Sequence, residues 1–130
     1  MESPIDIILL THNNLGSTIK CIEALYQNTR EPFILTVIDD SNDETPAYFN
    51  RMSFEKKNIV YHFPKVPIKS GNQAINIGVK LTQSDPFVFL CNSTFVEPDW
   101  LLMGLRLMED DLKVGLVGCK ILFPETSLII

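Results

Sequence analysis

Five apolar runs of strand length recur along the chain, at residues 5–10, 33–38, 59–63, 87–90 and 114–122. None alternates strictly between apolar and polar side chains, and a strand without alternation is one buried on both faces. Between the runs the hydrophobic period lengthens. Residues 14–28 place Ile19, Ile22, Leu25 and Tyr26 three or four apart, with Asn14 or Ser17 available as N-caps. Residues 70–81 repeat that spacing with Ala74, Ile77 and Leu81, and residues 98–108 with Leu101, Leu102, Leu105 and Met108; residues 45–52 predict a shorter helix. Strands and helices therefore alternate, which predicts an α/β fold with a mostly parallel central sheet covered by helices. Right-handed crossovers carry every strand-to-helix turn to one edge of such a sheet. That edge collects Thr11-His12-Asn13, the acids from Asp39 to Asp43, the loop 64–70 and Cys91-Asn92-Ser93-Thr94, and the crevice beyond the strands' carboxyl ends is where these sheets bind ligands.

Composition narrows the classes. The 130 residues are 45% apolar and 21% charged, enough for one domain with a real core. No internal repeat, low-complexity tract or Gly/Pro/Ser-rich linker divides them. A net charge of −5 lacks the basic footprint that nucleic acid requires, so no nucleic-acid partner is expected. The N-terminal MESPIDIILLTHNN has no basic leader, and its apolar run is far too short for a membrane span. No transmembrane segment is expected, and the location read from the sequence is cytoplasmic. Cys21, Cys91 and Cys119 are odd in number and form no C-x-x-C pair, as suits reduced thiols.

Four segments could carry chemistry. Asp39 ends the second apolar run, and Asp40, Asp43 and Glu44 follow within five residues. Such a cluster can chelate a cation, accept hydrogen bonds from a nucleobase or ribose, or cap the next helix; Asp43 and Glu44 stand at that helix's first turn, where acids suit the dipole. Thr11-His12-Asn13 ends the first run. His12 has no second His or Cys at ligand spacing, which favours a ring packed in the crevice over a metal ligand, and Asn13 suits a backbone turn. The stretch from Ser70 to Gly78 contains neither a P-loop nor a dinucleotide fingerprint, and Lys69 before it offers a point charge. The run FVFLCNSTFVEPDW ends a strand in Cys91-Asn92-Ser93-Thr94, neutral or soft donors that suit hard Mg2+ or Mn2+ poorly. Glu97 and Asp99 follow, aimed elsewhere by the strand and by the start of the next helix.

In order and spacing these segments resemble the nucleotide-sugar half of a family 2 glycosyltransferase with the GT-A fold, a Rossmann-like three-layer sandwich. DDSNDET from Asp39 to Thr45 stands where that family has DNGSTDGT or DDGSTDGT, and Thr11-His12-Asn13 where it has T-[YH]-N. Ala74, Asn76 and Gly78 match N-x-G-x-x-x-A-R-N-x-G, while Ile68, Ser70 and Ile75 depart from its Asn, Gly and Arg. Thr94, Pro98 and Trp100 match D-T-x-x-x-P-x-W, and Val117 to Pro124 resembles V-G-x-K-L-x-Y-P. The resemblance implies a nucleotide sugar, a UDP-sugar first of all, held by Thr11, His12, Asn13, Asp39, Asp40, Asn76, Asn92, Ser93 and Thr94, for transfer of its glycosyl group to an acceptor hydroxyl. It implies that Asp39 accepts the uracil N3–H in a charge-assisted bond, with Asp40 as a weaker neighbour.

Both carboxylates of the family's Asp-x-Asp turn are replaced by neutral residues, Cys91 and Ser93. No metal ligand and no catalytic residue is assigned, and Mn2+ or Mg2+ would be held only weakly, with the donor diphosphate. The alternative is a non-catalytic nucleotide-binding or assembly module with a degenerate metal site. A flavodoxin-like or response-regulator-like domain would need a phosphorylatable Asp where His62-Phe63 ends the third run. Family members continue into an acceptor-binding half that carries the base. Residues 1–130 are therefore expected to form a single donor domain without turnover of its own, self-associating through an apolar edge at residues 123–130.

Overall fold

The computed structural model describes residues 3–123. In chain order these form β1 (Ile5–Thr11), α1 (Leu15–Asn28), β2 (Phe33–Asp39), α2 (Thr45–Glu55), β3 (Ile59–His62), α3 (Gly71–Leu81), β4 (Phe87–Cys91) and α4 (Trp100–Asp110). The strands make one sheet in the order β3-β2-β1-β4, parallel throughout. Thr11 of β1 lies opposite Asp39 of β2 on one side, and Leu10 opposite Cys91 of β4 on the other. The chain winds outward through β2 and β3, then returns past β1 to β4. Winding reverses between β1 and β4, and the crevice of a doubly wound sheet opens at that reversal.

Alternate side chains of β1 enter two different cores, which is why its sequence is apolar without alternation. Ile7 and Leu9 pack with Cys21, Ile22 and Leu25 of α1, Phe49 of α2 and Leu101 of α4. Ile8 packs on the other face with Ile38 and Ala74, and Leu10 and Ile77 lie against them. Here α3 comes so close that a Cβ on Gly78 would overlap the Cγ2 of Ile8, so glycine is what lets the helix lie on the strand. At the far end of β1, Asp6 stands inside an apolar run yet is buried. Its Oδ2 accepts the N–H groups of Gln83 and Ser84, each at 2.7 Å, and its own N–H donates to Ser84 Oγ at 2.8 Å. These bonds satisfy the buried charge and tie the α3–β4 connection beneath the sheet.

The run at 114–122 is not the fifth strand that its composition predicts. It is irregular apart from one bridge at Leu122, with Leu116 87% and Ile121 62% exposed. Backbone groups of an apolar run form a ladder only where another strand supplies their partners, and the sheet of the described residues ends at β4. Of the edge expected to self-associate, residues 124–130 lie outside the described residues. Among the described residues, no helix is long and apolar enough to cross a membrane.

Candidate functional site

Two asparagines shape the turn after β1. Asn13 and Asn14 both adopt left-handed φ, 56° and 58°, a region that short polar side chains tolerate. The Asn13 N–H donates to Ser41 Oγ at 2.6 Å, and Asn13 Oδ1 accepts the Asn42 N–H at 2.8 Å. Asn14 begins α1 through its backbone, its carbonyl accepting the Thr18 N–H at 3.1 Å, and its side chain makes no cap bond. Ser17, the other candidate cap, donates instead to the Asn92 carbonyl at 3.0 Å.

Asp39, the acid expected to read the base, is not among the residues that line the crevice. It is fully buried. Its Oδ1 accepts from the Thr11 hydroxyl at 2.8 Å, the Ser41 N–H at 3.0 Å and the Ser41 hydroxyl at 2.5 Å, and its Oδ2 from the Tyr61 phenol at 2.7 Å. Four donors occupy most of what one carboxylate can accept, so Asp39 anchors the tips of β1, β2 and β3 to one another. Burial, and then the adjoining carboxylate, push the Tyr61 phenol well above its ordinary range. Neither Ser41 nor Tyr61 stands out in the sequence; each is a single hydroxyl whose partner lies on another element.

Asp40 is the acid that faces the opening. His12 Nδ1 lies 2.8 Å from Asp40 Oδ1, with the two side chains 68% and 23% exposed respectively. The imidazole is therefore a solvent-facing partner of Asp40 rather than a packed ring. A carboxylate only accepts, so Nδ1–H donates and Nε2 is left free.

A cleft of about 380 Å³ opens between the tips of β1 and β4 and the start of α3, lined among others by Thr11, His12, Asp40, Lys69, Ser70 and Asn92. Ser70 Oγ accepts the Gln73 N–H at 3.3 Å, and Gln73 Oε1 accepts the Lys69 N–H at 2.8 Å. This reciprocal capping fixes the first turn of α3 at the cleft wall, where a helix presents free N–H groups and the positive end of its dipole. A smaller hollow of about 180 Å³ adjoins at Asp40, between Phe63, Pro64, Lys65 and Pro67.

Other expected residues are dispersed. Ala74 and Gly78 are the buried positions of α3. Asn76, two residues from each, is turned about 200° from them and is exposed, outside the cleft. The Asn92 amide lines the cleft, but donates to the Asn13 carbonyl and to Thr18 Oγ1, each at 3.1 Å, fastening the β4 turn to the β1 turn. Ser93 and Thr94 are exposed beyond the lining, and the Thr94 N–H closes a turn on the Cys91 carbonyl at 3.0 Å.

A divalent ion fits this donor set poorly. Mn2+ and Mg2+ take oxygen ligands, carboxylates above all, whereas the β4 turn offers the exposed Cys91 thiol, an amide whose N–H groups are already committed, and hydroxyls. Glu97 and Asp99 are exposed and do not line the cleft; Asp99 begins α4 at φ 61°. Among the described residues, no group of three or more His, Cys, Asp and Glu side chains could hold a metal ion.

The model of the family described as "Glycosyl transferase family 2" matches residues 6–127. An uncharacterized glycosyltransferase of Rickettsia bellii (strain RML369-C) is 24% identical over 110 residues, 85% of this chain and 16% of that protein. The crystal structure of S. aureus TarS 1-349 superposes with a TM-score of 0.72 at 15% identity, over 83% of this chain and 33% of that one. The same TarS fragment in complex with UDP-GlcNAc gives the same TM-score and identity, over 83% and 32%. The mannosyltransferase PcManGT from Pyrobaculum calidifontis, in complex with GDP-Man and Mn2+, matches with a TM-score of 0.72 at 15% identity, over 80% and 32%. This chain thus has the GT-A fold and spans no more than about a third of the length of these proteins.

Proposed function

This chain belongs to glycosyl transferase family 2, and from that premise we propose that its cleft holds a nucleotide sugar, a UDP-sugar in particular, for glycosyl transfer to an acceptor hydroxyl. One observation carries the reading: the cleft at the β1/β4 reversal has a carboxylate, Asp40, on one wall and Lys69 with the start of α3 on the other. Uracil presents an imide N–H that Asp40 can accept, and a pyrophosphate suits the α3 N-terminus and the Lys69 ammonium. Adenine has no imide N–H. Thr11, Asn13 and Asp39 act through position, building the floor on which Asp40 and His12 stand. The bound nucleotide shields the cleft from water, which strengthens these charge-assisted contacts. No described residue is assigned as the base that would activate an acceptor, and residues 1–130 are proposed to act as the donor domain, without transfer of their own.

Titration calorimetry with UDP, GDP and ADP tests the reading. UDP should bind more tightly than ADP, and Asp40→Ala should cost about 1.5–3 kcal/mol, the scale of a hydrogen bond to a charged group. Equal affinity for all three nucleotides would sink it.

The second reading, a nucleotide-binding or assembly module without catalysis, is favoured by the β4 turn, where Cys91, Asn92 and Ser93 supply no carboxylate. Mn2+ should change UDP affinity little in the native chain, and Cys91→Asp combined with Ser93→Asp should make binding metal-dependent. A large Mn2+ effect on the native chain would speak for transfer and against this module.

A further inference from the structure

Charge around the cleft leaves an entering anion short of counter-charge. Asp40, Lys69, His12 and the Cys91 thiol are the titratable side chains of its lining. While His12 is neutral, Lys69 and Asp40 cancel, yet the pyrophosphate of a nucleotide sugar is a dianion and the donor set does not suit a hard cation. We propose that His12 Nε2 takes up a proton when a diphosphate enters the cleft, so that an imidazolium and Lys69 together supply the positive charge that a metal ion would otherwise bring. This inference rests on the nucleotide-sugar reading.

Geometry singles out His12 for that task. Its Nδ1–H is held on Asp40 at 2.8 Å, which orients the ring and leaves Nε2 as the only protonation site. The side chain is 68% exposed, so solvent can deliver the proton. Around it stand Asp40 from the end of β2, Lys69 from the β3–α3 loop and Cys91 from β4, with Lys65 in the adjoining hollow; Asp39 is sealed beneath its own donors. In the free protein water screens the exposed pair. An anion that displaces this water strengthens its own attraction to the imidazolium. One proton is taken from solvent on binding and returned on release. The bound state holds more protons than the free state, so affinity falls as pH rises through the range in which imidazoles titrate.

The test uses the full chain with UDP-glucose and GDP-mannose, pyrophosphate diesters whose own charge is constant between about pH 5.5 and 8, the interval over which an imidazole changes charge. The chain has two histidines, and His62 at the end of β3 serves as internal control in an NMR titration of the imidazole resonances. Affinity should weaken about tenfold across that interval, the scale of one screened charge pair. Calorimetry in buffers of different ionisation heat should register proton uptake, and the titration of His12 should move to higher pH on binding while that of His62 stays in place. His12→Gln, whose amide still donates toward Asp40, should bind with affinity independent of pH. Binding without proton uptake and without movement of His12 would overturn the inference and leave the nucleotide-sugar reading standing. Failure of both ligands to bind at every pH would overturn the two together.

Discussion

At the β1–β2 rim, polar side chains face one another: Thr11, Ser41 and Tyr61 all donate to the fully buried Asp39, and Asn13 bonds the β2 turn through both its N–H and its Oδ1. Across the same cleft, at the β4 turn, Cys91, Ser93 and Thr94 are exposed, and of that turn's side chains Asn92 reaches back to the β1 turn. The strands behind them differ in the same sense. β1 has a buried residue on each face, whereas in β4 Leu90 alone is buried, and Phe87 and Phe89 are 36% and 44% exposed. Removing a group from a closed polar network strands buried donors, while removing one from an exposed turn returns its partners to water. Cys91, Ser93 and Thr94 are therefore the part of the rim whose side chains can change at least cost to the fold.

The largest expected effect lies at the network's centre. Asp39→Ala should lower the unfolding free energy by about 3 kcal/mol or more, because the Thr11, Ser41 and Tyr61 donors lose a common buried acceptor. Ser93→Ala, on the exposed turn, should stay within about 0.5 kcal/mol of the native chain. Urea denaturation of both variants measures the contrast, and comparable losses would erase it.

A smaller difference separates the two helix faces. Gly78→Ala should cost about 1–3 kcal/mol, since its methyl would collide with the stiff, fully buried Ile8. Gly104→Ala in α4 has open space for its methyl and should stabilise by up to about 1 kcal/mol through helix propensity. Thermal melts of the pair would sharpen the point, and equal signs would contradict the close approach of α3 to β1.

Asn92→Ala should cost about 1 kcal/mol by removing its bonds to Asn13 and Thr18. Amide exchange should accelerate through residues 91–94 while the β1–β2 rim stays protected, and faster exchange spread evenly over both would show the rim to depend on the β4 turn. The least energetic test is chemical. Burial pushes the Cys21 thiol up to about 12, with the nearby Cys91 a smaller cause, so it stays protonated and shielded at about pH 8, where an ordinary thiol is partly ionised. Cys91 and Cys119 are exposed and should label with a thiol reagent in the folded chain, Cys21 only after unfolding.

Hydrophobic spacing alone located all the helices and strands of the described residues to within a few positions, because burial on two faces and burial on one stripe leave different periods in the residues themselves. The same reasoning placed a strand at 114–122, where the apolar run is real but, among the described residues, forms no more than a bridge at Leu122. Asp6 lay hidden in an apolar run because its acceptors' partners come from the α3–β4 connection, far along the chain. The sharpest divide falls between Asp39 and Asp40. Both are acids at the end of one strand, and the sequence shows a carboxylate at the crevice edge without showing which. Successive residues of a strand point to opposite sides, so pleat and register decide that Asp39 meets Thr11 and Tyr61 inside while Asp40 meets His12 in the opening. Asn76 fell outside the cleft for the helical version of that reason, its phase about α3 being set by Ala74 and Gly78 packing on the sheet. Residue type and spacing are local and were legible along the chain; which side of an element faces a cleft depends on partners that only folding brings together.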